Sequence, residues 1–453
     1  MQQQNHLRTF YTLIVTQVFS LIGSQISSFA ISIWVFTQTG NATPLALVSF
    51  FFIVPQVLVA GLSGALADRW DRRYVMMLAD MGQAAGTVLL LISFASGRFE
   101  LWHLYAITFM QSLFGVFQGP AFQASVTLLV PDHQRDRANA MQQVTGPLAG
   151  IIAPAVAGMI YPLVGVIGAI AIDLTTFLVA VAVIFYSRIP RPPQTADGQA
   201  MAGSVWRSMF DGFRYLWQRR VLFWLLVFNS LVNFLVGGVM VLQTPYILAR
   251  TGSEATLGLL LGIVNTGALS GGIIMSMWGG TRPRIHTIMG GIILASTFLG
   301  LAGMAQTPVM LGITLFLFMF VLPFVNAAAM SMLQAKVAPD VQGRVFAALG
   351  QMSMLLMPVA FVLAGPLADN VFEPTVGQAG WERVAPLVGD GFGAGIGLML
   401  LICGFGTAFL SLLVYLIPAI RRLEADLPDF QAATPEPVGE PLAGAALAVE
   451  TDA

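Results

Sequence analysis

The sequence predicts an all-α membrane protein that crosses the bilayer twelve times. Of its 453 residues, 57% are hydrophobic and only 9% are charged, whereas an ordinary soluble domain has about 25% charged residues. Runs such as YTLIVTQVFSLIGSQISSFAISIWVF exceed the roughly 20 apolar residues that a helix needs to cross the hydrocarbon core. The chain lacks the alternating segments of about ten residues that are typical of a transmembrane β-barrel.

Charged or Pro/Gly-rich breaks divide the apolar sequence into two sets of six spans. The first set is predicted at 10–35, 44–67, 74–96, 101–129, 138–161 and 164–187, and the second at 220–248, 256–278, 286–305, 309–335, 344–368 and 392–417. Four regions follow: an N-terminal six-helix bundle (1–187), a cytoplasmic connector (188–219), a C-terminal six-helix bundle (220–420) and a disordered cytoplasmic tail (421–453). In the connector, SVWRSMFDGFRYLWQRR carries its apolar residues on one helical face, which predicts an interfacial amphipathic helix; binding of a calmodulin-like partner is the alternative.

The positions of Lys and Arg predict that both termini are cytoplasmic, because short basic loops stay on that side of the membrane. With this orientation, only Arg98, Arg250 and Arg383 of the 21 basic residues lie outside. The net charge of −1 and the dispersed basic residues argue against a nucleic-acid-binding protein. The single cysteine, Cys403, lies inside the last span, so we expect no disulfide, no metal site and no cofactor. We expect a multi-pass monomer in the plasma or inner membrane.

Two loops that precede spans 5 and 11 resemble each other, which indicates an internal repeat. VPDHQRDRANAMQQ begins at Val130 and APDVQGRVFAALGQ begins at Ala338, with matching residues 208 positions apart. Parallel repeats of this kind are typical of carriers whose substrate site lies near the bilayer midplane between two halves.

The loop between spans 2 and 3 reads GALADRWDRR, which resembles the signature of the major facilitator superfamily. The surrounding sequence, GSQISSFAISIWVFTQTG with ADRWDRRYVMMLAD, is similar to the macrolide-efflux and enterobactin-exporter branch of drug:proton antiporters. TGPLAGIIAPAVAG in span 5 likewise resembles an antiporter signature. The resemblance implies the major facilitator fold, with two six-helix bundles, and an export function. The arginine that many proton antiporters carry in span 4 has no counterpart here, since no basic residue lies inside that span.

Charged residues at the cytoplasmic ends predict a gate between the two halves. Asp68 would lie at the carboxyl end of its helix, where a negative charge is disfavoured, so we expect it to pair with Arg344 of the other half. Arg69 or Arg72 could reach Asp132, and Arg73 belongs to the same basic cluster. The alternative is that DRWDRR only retains the loop in the cytoplasm.

In the major facilitator fold, spans 1, 4, 7 and 10 line the central cavity, and these spans carry polar residues at helical spacing. The predicted cavity residues are Gln17, Ser24, Gln111, Gln118, Asn229, Asn233 and Asn326. Hydrogen bonding between helices is the alternative role for such amides. A cavity with amides but no fixed charge favours bulky, weakly polar substrates.

Two carboxylates lie inside spans, Asp80 in span 3 and Asp173 in span 6. An ionised carboxylate is costly in the membrane unless it is paired, so both are candidates for carrying a proton. Thr175 and Thr176 are possible local partners of Asp173, in which case its role would be structural.

These observations predict a proton-coupled exporter of amphipathic small molecules, such as a drug, macrolide, siderophore or secondary metabolite. An uncoupled facilitator or importer of a small metabolite is the alternative, followed by a membrane sensor that transports nothing. No catalytic nucleophile, metal cluster or phosphate-binding loop is visible, so an enzyme is not expected.

Overall fold

The structure is a computed structural model that describes residues 2–69, 72–131, 134–187, 217, 220–336 and 342–426. Within these ranges, side chains are not described at 2–6, 60–69, 72, 123–124, 126–128, 135–137, 139–140, 143, 220–222, 342–344, 347 and 425–426. The described chain is helical, and its helices follow the twelve predicted spans in order.

The first half contains six helices. They are α1 (Gln2–Thr39), α2 (Thr43–Arg69), α3 (Arg72–Ala95), α4 (Leu101–Leu129), and the run Arg135–Tyr186, whose two parts we number α5 (135–164) and α6 (166–186). Gly165 separates these parts, because its φ of 62° and ψ of −170° lie outside the helical region and are accessible mainly to glycine. The chain thus reverses between spans 5 and 6 without a loop.

The second half repeats the pattern. It contains α7 (Arg220–Met240, continued by Gln243–Thr251), α8 (Glu254–Trp278), α9 (Arg284–Gly303), α10 (Pro308–Lys336), α11 (Gln342–Met354, continued by Met357–Leu367) and α12 (Ala394–Leu416). Between α11 and α12, short π and 3₁₀ turns at Ala368–Phe372, Glu373–Thr375 and Trp381–Arg383 precede a one-turn helix, Ala385–Val388.

Nine helices in the described ranges are long and apolar enough to cross a membrane. One of them, Val144–Tyr186, contains the break at Gly165 and supplies two of the predicted spans. The remaining spans correspond to the apolar helix Thr43–Val59 at the start of α2 and to α4.

The same helix pairs pack together in both halves. In the first half α1 packs against the α5–α6 run, and α4 packs against both α2 and α3. In the second half α7 packs against α11 and α12, and α10 packs against both α8 and α9. Between the halves, α2 contacts α11 and α5 contacts α8. This is the predicted architecture of two six-helix bundles.

We call the side where α1 begins and α12 ends the inner side. Helix alternation then places Arg98, Arg250 and Arg383 on the outer side. That the inner side is cytoplasmic stays a prediction from the distribution of basic residues. Most of the connector 188–219 lies outside the described residues; Trp217 is described, and its ring packs edge-to-face on Phe223 with 4.7 Å between centroids.

The beginning of the segment predicted as a disordered tail is ordered. Short helices form at Pro418–Arg421 and Leu423–Asp426, and Leu423 is buried against α9 and α10. Glu424 forms an ion pair with Arg284 (3.5 Å), and its carbonyl accepts a hydrogen bond from Lys336 (2.8 Å). The described helical structure therefore continues to Asp426, within the segment predicted as disordered, and residues 427–453 lie outside the description.

Close packing of α8 on α10 yields a prediction about stability. A Cβ atom at Gly271 would collide with the backbone carbonyl of Phe320. Gly271→Ala should therefore destabilise the protein, by about 1–3 kcal/mol for overpacking of this kind. Thermal unfolding of the purified protein in detergent, followed by tryptophan fluorescence, measures the effect.

The adjacent glycine provides the control. A Cβ atom at Gly272 has no heavy atom within 4 Å, so Gly272→Ala should leave the unfolding temperature unchanged. Equal losses of stability in the two variants would contradict the packing described for α8 and α10.

Candidate transport pathway

The predicted cavity residues of the first half take part in hydrogen bonds between helices. One cluster, which we call the Asp80 cluster, consists of Asp80 and Gln83 on α3, Gln17 on α1 and Gln118 on α4. The Gln118 amide donates to Asp80 Oδ1 (2.5 Å) and to Gln17 Oε1 (3.1 Å). Gln118 Oε1 accepts a hydrogen bond from Gln83 Nε2 (3.0 Å). A single glutamine thus joins three helices.

A second cluster surrounds Asp173 on α6. Its Oδ1 accepts from Ser24 on α1 (2.9 Å) and its Oδ2 accepts from Thr87 on α3 (3.2 Å). Gln111 on α4 donates to the Thr87 hydroxyl (3.1 Å) and to the backbone carbonyl of Gln83 (3.0 Å), which connects this cluster to the Asp80 cluster.

The local partners expected for Asp173 do not bind its carboxylate. The Thr175 hydroxyl donates to the carbonyl of Ala171 (2.8 Å), and the Thr176 hydroxyl donates to the backbone carbonyl of Asp173 (2.8 Å). Both threonines satisfy hydrogen bonds of their own helix, so the carboxylate reaches across to α1 and α3.

Both carboxylates are withdrawn from solvent and lipid. Asp80 is 0% exposed and Asp173 is 4% exposed. The hydrocarbon core cannot hydrogen-bond polar groups, so these side chains find partners within the protein. Gln83 and Thr87 were not among the predicted site residues, although Asp80, Gln83 and Thr87 are spaced i, i+3 and i+7 and share one face of α3.

The amides of the second half are less connected. Asn229 on α7 donates to Ser353 on α11 (2.9 Å). Asn233 and Asn326 make no hydrogen bond in the part of the chain that the structure describes, and Asn326 is exposed, ten residues before the inner end of α10. An exposed amide at such a depth is costly against lipid but not against water.

The two halves are joined by hydrogen bonds on the outer side. Asp369, just beyond the end of α11, accepts from the backbone N–H groups of Ala42 (2.8 Å) and Thr43 (2.7 Å) and from the Thr43 hydroxyl (2.5 Å). The first N–H groups of a helix have no partner within it, and a carboxylate also favours the positive end of the helix dipole. Asp369 of one half therefore caps α2 of the other half.

Close helix packing extends this junction towards the bilayer centre. On α5, Gly158 faces the backbone of Gly258 on α8, and a Cβ atom at Gly150 would lie 2.8 Å from the Asn265 amide oxygen. In the second contact between the halves, Ile53 of α2 is buried in one apolar cluster with Ala360 and Phe361 of α11. These contacts all lie in the outer and central parts of the bundle.

The residues of the predicted inner gate lie largely outside the description. Asp132 is not described, and neither are the side chains of Asp68, Arg69, Arg72 and Arg344. Arg73 is described: it donates a hydrogen bond to the carbonyl of Phe185, and its guanidinium lies 5.9 Å from the centre of that ring. These contacts of Arg73 join α3 to α6 within the first half.

The described residues outside these two clusters can be compared with the requirements of a metal site and of a ligand pocket. Within the described ranges, no three His, Cys, Asp or Glu side chains are grouped as metal ligands, and Cys403 is a half-buried free thiol. A hollow of about 780 Å³ lies on the outer surface, lined by residues of the α11–α12 loop such as Trp381 and Glu382. None of the residues that line that hollow belongs to α3 or α6, the helices that carry the buried carboxylates.

Comparison with known proteins agrees with this architecture. A family model described as Major Facilitator Superfamily matches residues 13–361. Macrolide efflux protein A of Streptococcus pyogenes is 28% identical over 370 residues, which cover 80% of this chain and 90% of that protein. Multidrug efflux pump Tap of Mycobacterium tuberculosis is 23% identical over 384 residues, which cover 82% of this chain and 89% of that protein.

A solved structure shares the fold. The crystal structure of a bacterial homologue of the human lysosomal transporter Spinster superimposes with a TM-score of 0.70 at 15% sequence identity, covering 90% of this chain and 97% of that chain. The family model spans most of the chain, and the helices form two similar six-helix bundles. The chain is therefore a multi-pass membrane transporter that belongs to the Major Facilitator Superfamily.

Proposed function

We propose that this transporter exports amphipathic small molecules from the cell in exchange for protons, by alternating access of a pathway between its two halves. It would act as a monomer in the plasma or inner membrane. The observation that carries the proposal is the junction between the halves: hydrogen bonds and close helix packing join them on the outer side, where Asp369 caps α2. Rocking about the remaining contacts would open that side.

The substrate class rests on the relatives and on the lining residues. The similar proteins are named as a macrolide efflux protein and a multidrug efflux pump. The amides predicted to line the pathway carry no fixed charge, which suits bulky, weakly polar compounds. Phosphorylated substrates would favour arginines at the site.

Proton exchange is supported by the two buried carboxylates of the first half. Both lie on helices that pack against the predicted cavity-lining helices α1 and α4. An acidic side chain inside the membrane is expensive to maintain and is commonly part of an ion pathway or proton relay.

On the inner side, we propose the charged gate that the sequence predicts. Asp68 would pair with Arg344, and Arg69 or Arg72 would pair with Asp132, when the inner side is closed. These pairs would alternate with the Asp369 contact on the outer side.

Accumulation assays test the function. Expression of the chain in an exporter-deficient bacterial host should lower the cellular level of at least one compound among a macrolide, a cationic dye and a siderophore. An uncoupler should abolish this reduction, because the export would draw on the proton gradient. Export that is insensitive to the uncoupler would favour the uncoupled facilitator, and accumulation above the level of the empty host would favour an importer.

Weakening the outer junction should expose the interface between the halves. Asp369→Asn removes the negative charge at the amino end of α2, and such a charge typically stabilises a helix end by about 0.3–1 kcal/mol, equivalent to about two- to fivefold in the ratio of closed to open molecules. We expect faster labelling of an Ile53→Cys reporter by an impermeant maleimide added to intact cells. The reporter is made in a Cys403→Ala background, so that it is the single thiol.

A nearby glutamate is the matched control. Glu373 accepts from the backbone N–H groups of Gly393 (3.2 Å) and Ile396 (2.9 Å), and so caps α12 within the second half. Glu373→Gln should leave the labelling rate unchanged. The outer junction would lose its proposed role if Asp369→Asn and Glu373→Gln labelled equally fast.

The inner gate is tested by charge reversal. Asp68→Arg or Arg344→Asp alone should reduce export while the protein remains in the membrane, because each leaves two like charges at the gate. The double variant should recover export by restoring an opposite-charge pair. Export at the original level in both single variants would remove this pair from the mechanism.

A further inference from the structure

The two buried carboxylates of the first half differ in how well their hydrogen-bonding capacity is met. Asp173 has a hydroxyl partner on each oxygen, whereas Asp80 has one bonded oxygen and one without a partner. This difference distinguishes two residues that the sequence pattern leaves equivalent.

Asp173 is accommodated equally well in both protonation states. The Ser24 hydroxyl lies 2.9 Å from the carboxylate and 3.1 Å from the Ser20 carbonyl, and the Thr87 hydroxyl lies 3.2 Å from the carboxylate and 3.3 Å from the Gln83 carbonyl. A hydroxyl has one proton to donate and can also accept. Both hydroxyls can donate to an ionised carboxylate, and either can accept from a protonated one while donating to its own helix. Protonation of Asp173 therefore requires no movement of heavy atoms.

Asp80, by contrast, does not have a hydrogen-bond partner for each carboxylate oxygen. Its Oδ1 accepts from Gln118, but its Oδ2 is buried and makes no hydrogen bond within the described residues. An ionised carboxylate accepts at both oxygens, and leaving one of them buried without a donor is costly. The neutral acid carries a smaller penalty, so the arrangement described here suits a protonated Asp80.

The donor that Asp80 lacks lies in the same cluster. The Gln17 side chain lies beside Asp80, but its buried Nε2 does not reach hydrogen-bonding geometry with any acceptor in the described chain. Gln17 Oε1 already accepts from Gln118. A small displacement of α1 relative to α3 would bring the free Gln17 N–H group to Asp80 Oδ2.

Other ionisable groups are poorly placed to take this role. The described ones on α1, α4 and α6 are Asp173, Tyr186 at the inner end of α6, His103 and Tyr105 near the outer end of α4, and Arg8 and Tyr11 near the inner end of α1. On α3 itself they are Arg73 and Tyr74, at its inner end. None of these side chains makes a hydrogen bond to Asp80 in the described structure.

We propose that Asp80 is the residue that binds the coupling proton and that Gln17 is the positioning residue that stabilises the carboxylate once the proton has left. Asp173 then serves to join α6 to α1 and α3. This assignment rests on the proposed exchange of substrate for protons. It also links proton release to helix movement, because Gln17 and Gln118 lie on the two cavity-lining helices of this half.

The proton step is balanced without a further reactant. Protonated Asp80 releases H⁺ to water on the inner side, its O–H bond breaks, and the electron pair remains on Oδ2. The Gln17 amide then donates to Oδ2. In the reverse step a proton from the outer side binds Oδ2 and the Gln17 hydrogen bond is released.

Infrared spectroscopy of the purified full-length protein tests the site without a substrate. At neutral pH the wild-type protein should show the C=O stretching band of a protonated, buried carboxyl group. Asp80→Asn should remove the component of this band that belongs to Asp80, measured in the difference spectrum between wild type and variant, and the matched variant Asp173→Asn should retain that component. A band unchanged in Asp80→Asn, or changed only in Asp173→Asn, would overturn the assignment of Asp80.

Export measurements with a macrolide probe test Gln17. Gln17→Leu keeps the side chain at similar size but removes the amide, so it should retain the infrared band and lose uncoupler-sensitive export. Asp80→Asn should lose that export as well. Full uncoupler-sensitive export by either variant would overturn the coupling role. If the wild-type protein exports no probe, the proposed function fails, while the infrared band still decides whether Asp80 holds a proton.

Discussion

The structure depends above all on the inability of the bilayer core to hydrogen-bond polar side chains. A glutamine or aspartate inside a span must find its partner in another helix or in a water-filled pathway. In the first half this constraint draws α1, α3, α4 and α6 together around two carboxylates, with Gln118 bonded to three residues on two other helices. The same bonds that allow these helices to pack also make their packing sensitive to the charge at the centre.

The two halves share a packing pattern but not a chemistry. The first half contains the connected amides, hydroxyls and carboxylates. In the described part of the second half the bonds between helices are separate ones, such as Asn229–Ser353, Tyr246–Ala302 and Tyr415–His286, and close backbone contacts such as α8 on α10 accompany them. Under the proposed proton exchange, one copy of the repeat would bind the ion and the other would serve as its partner. In that second copy Glu373 caps α12 and Arg284 pairs with Glu424.

Sequence patterns predicted the helices well because each span is encoded locally, by its length and its flanking breaks. The reversal at Gly165 was anticipated as a boundary between 161 and 164, since glycine and proline interrupt the apolar run there.

Hydrogen-bond partners on other helices were not predicted in the same way. Asp173 was assigned possible neighbours on its own helix, but it bonds to Ser24 and Thr87, which lie 149 and 86 residues away in the chain. The Asp369 cap was also missed, because a helix start such as Thr43–Pro44 does not indicate which distant acid will cover it. The spacing of residues in the sequence predicts which side chains share one face of a helix. It does not predict contacts between helices, which depend on how the helices are arranged in space.

The cap that Asp369 forms on α2 has a consequence for the rate of the proposed transport cycle. Asp369 and the N–H groups of Ala42 and Thr43 lie at the surface end of their helices, so water can replace each partner as soon as they part. In the proposed cycle this cap would hold the outer side closed, yet its release would leave no polar group unpaired in a dry interior and would add little to the activation barrier. The rate of transport would then be limited by the breaking of hydrogen bonds deeper in the bundle, where no water molecule is available to replace a lost partner.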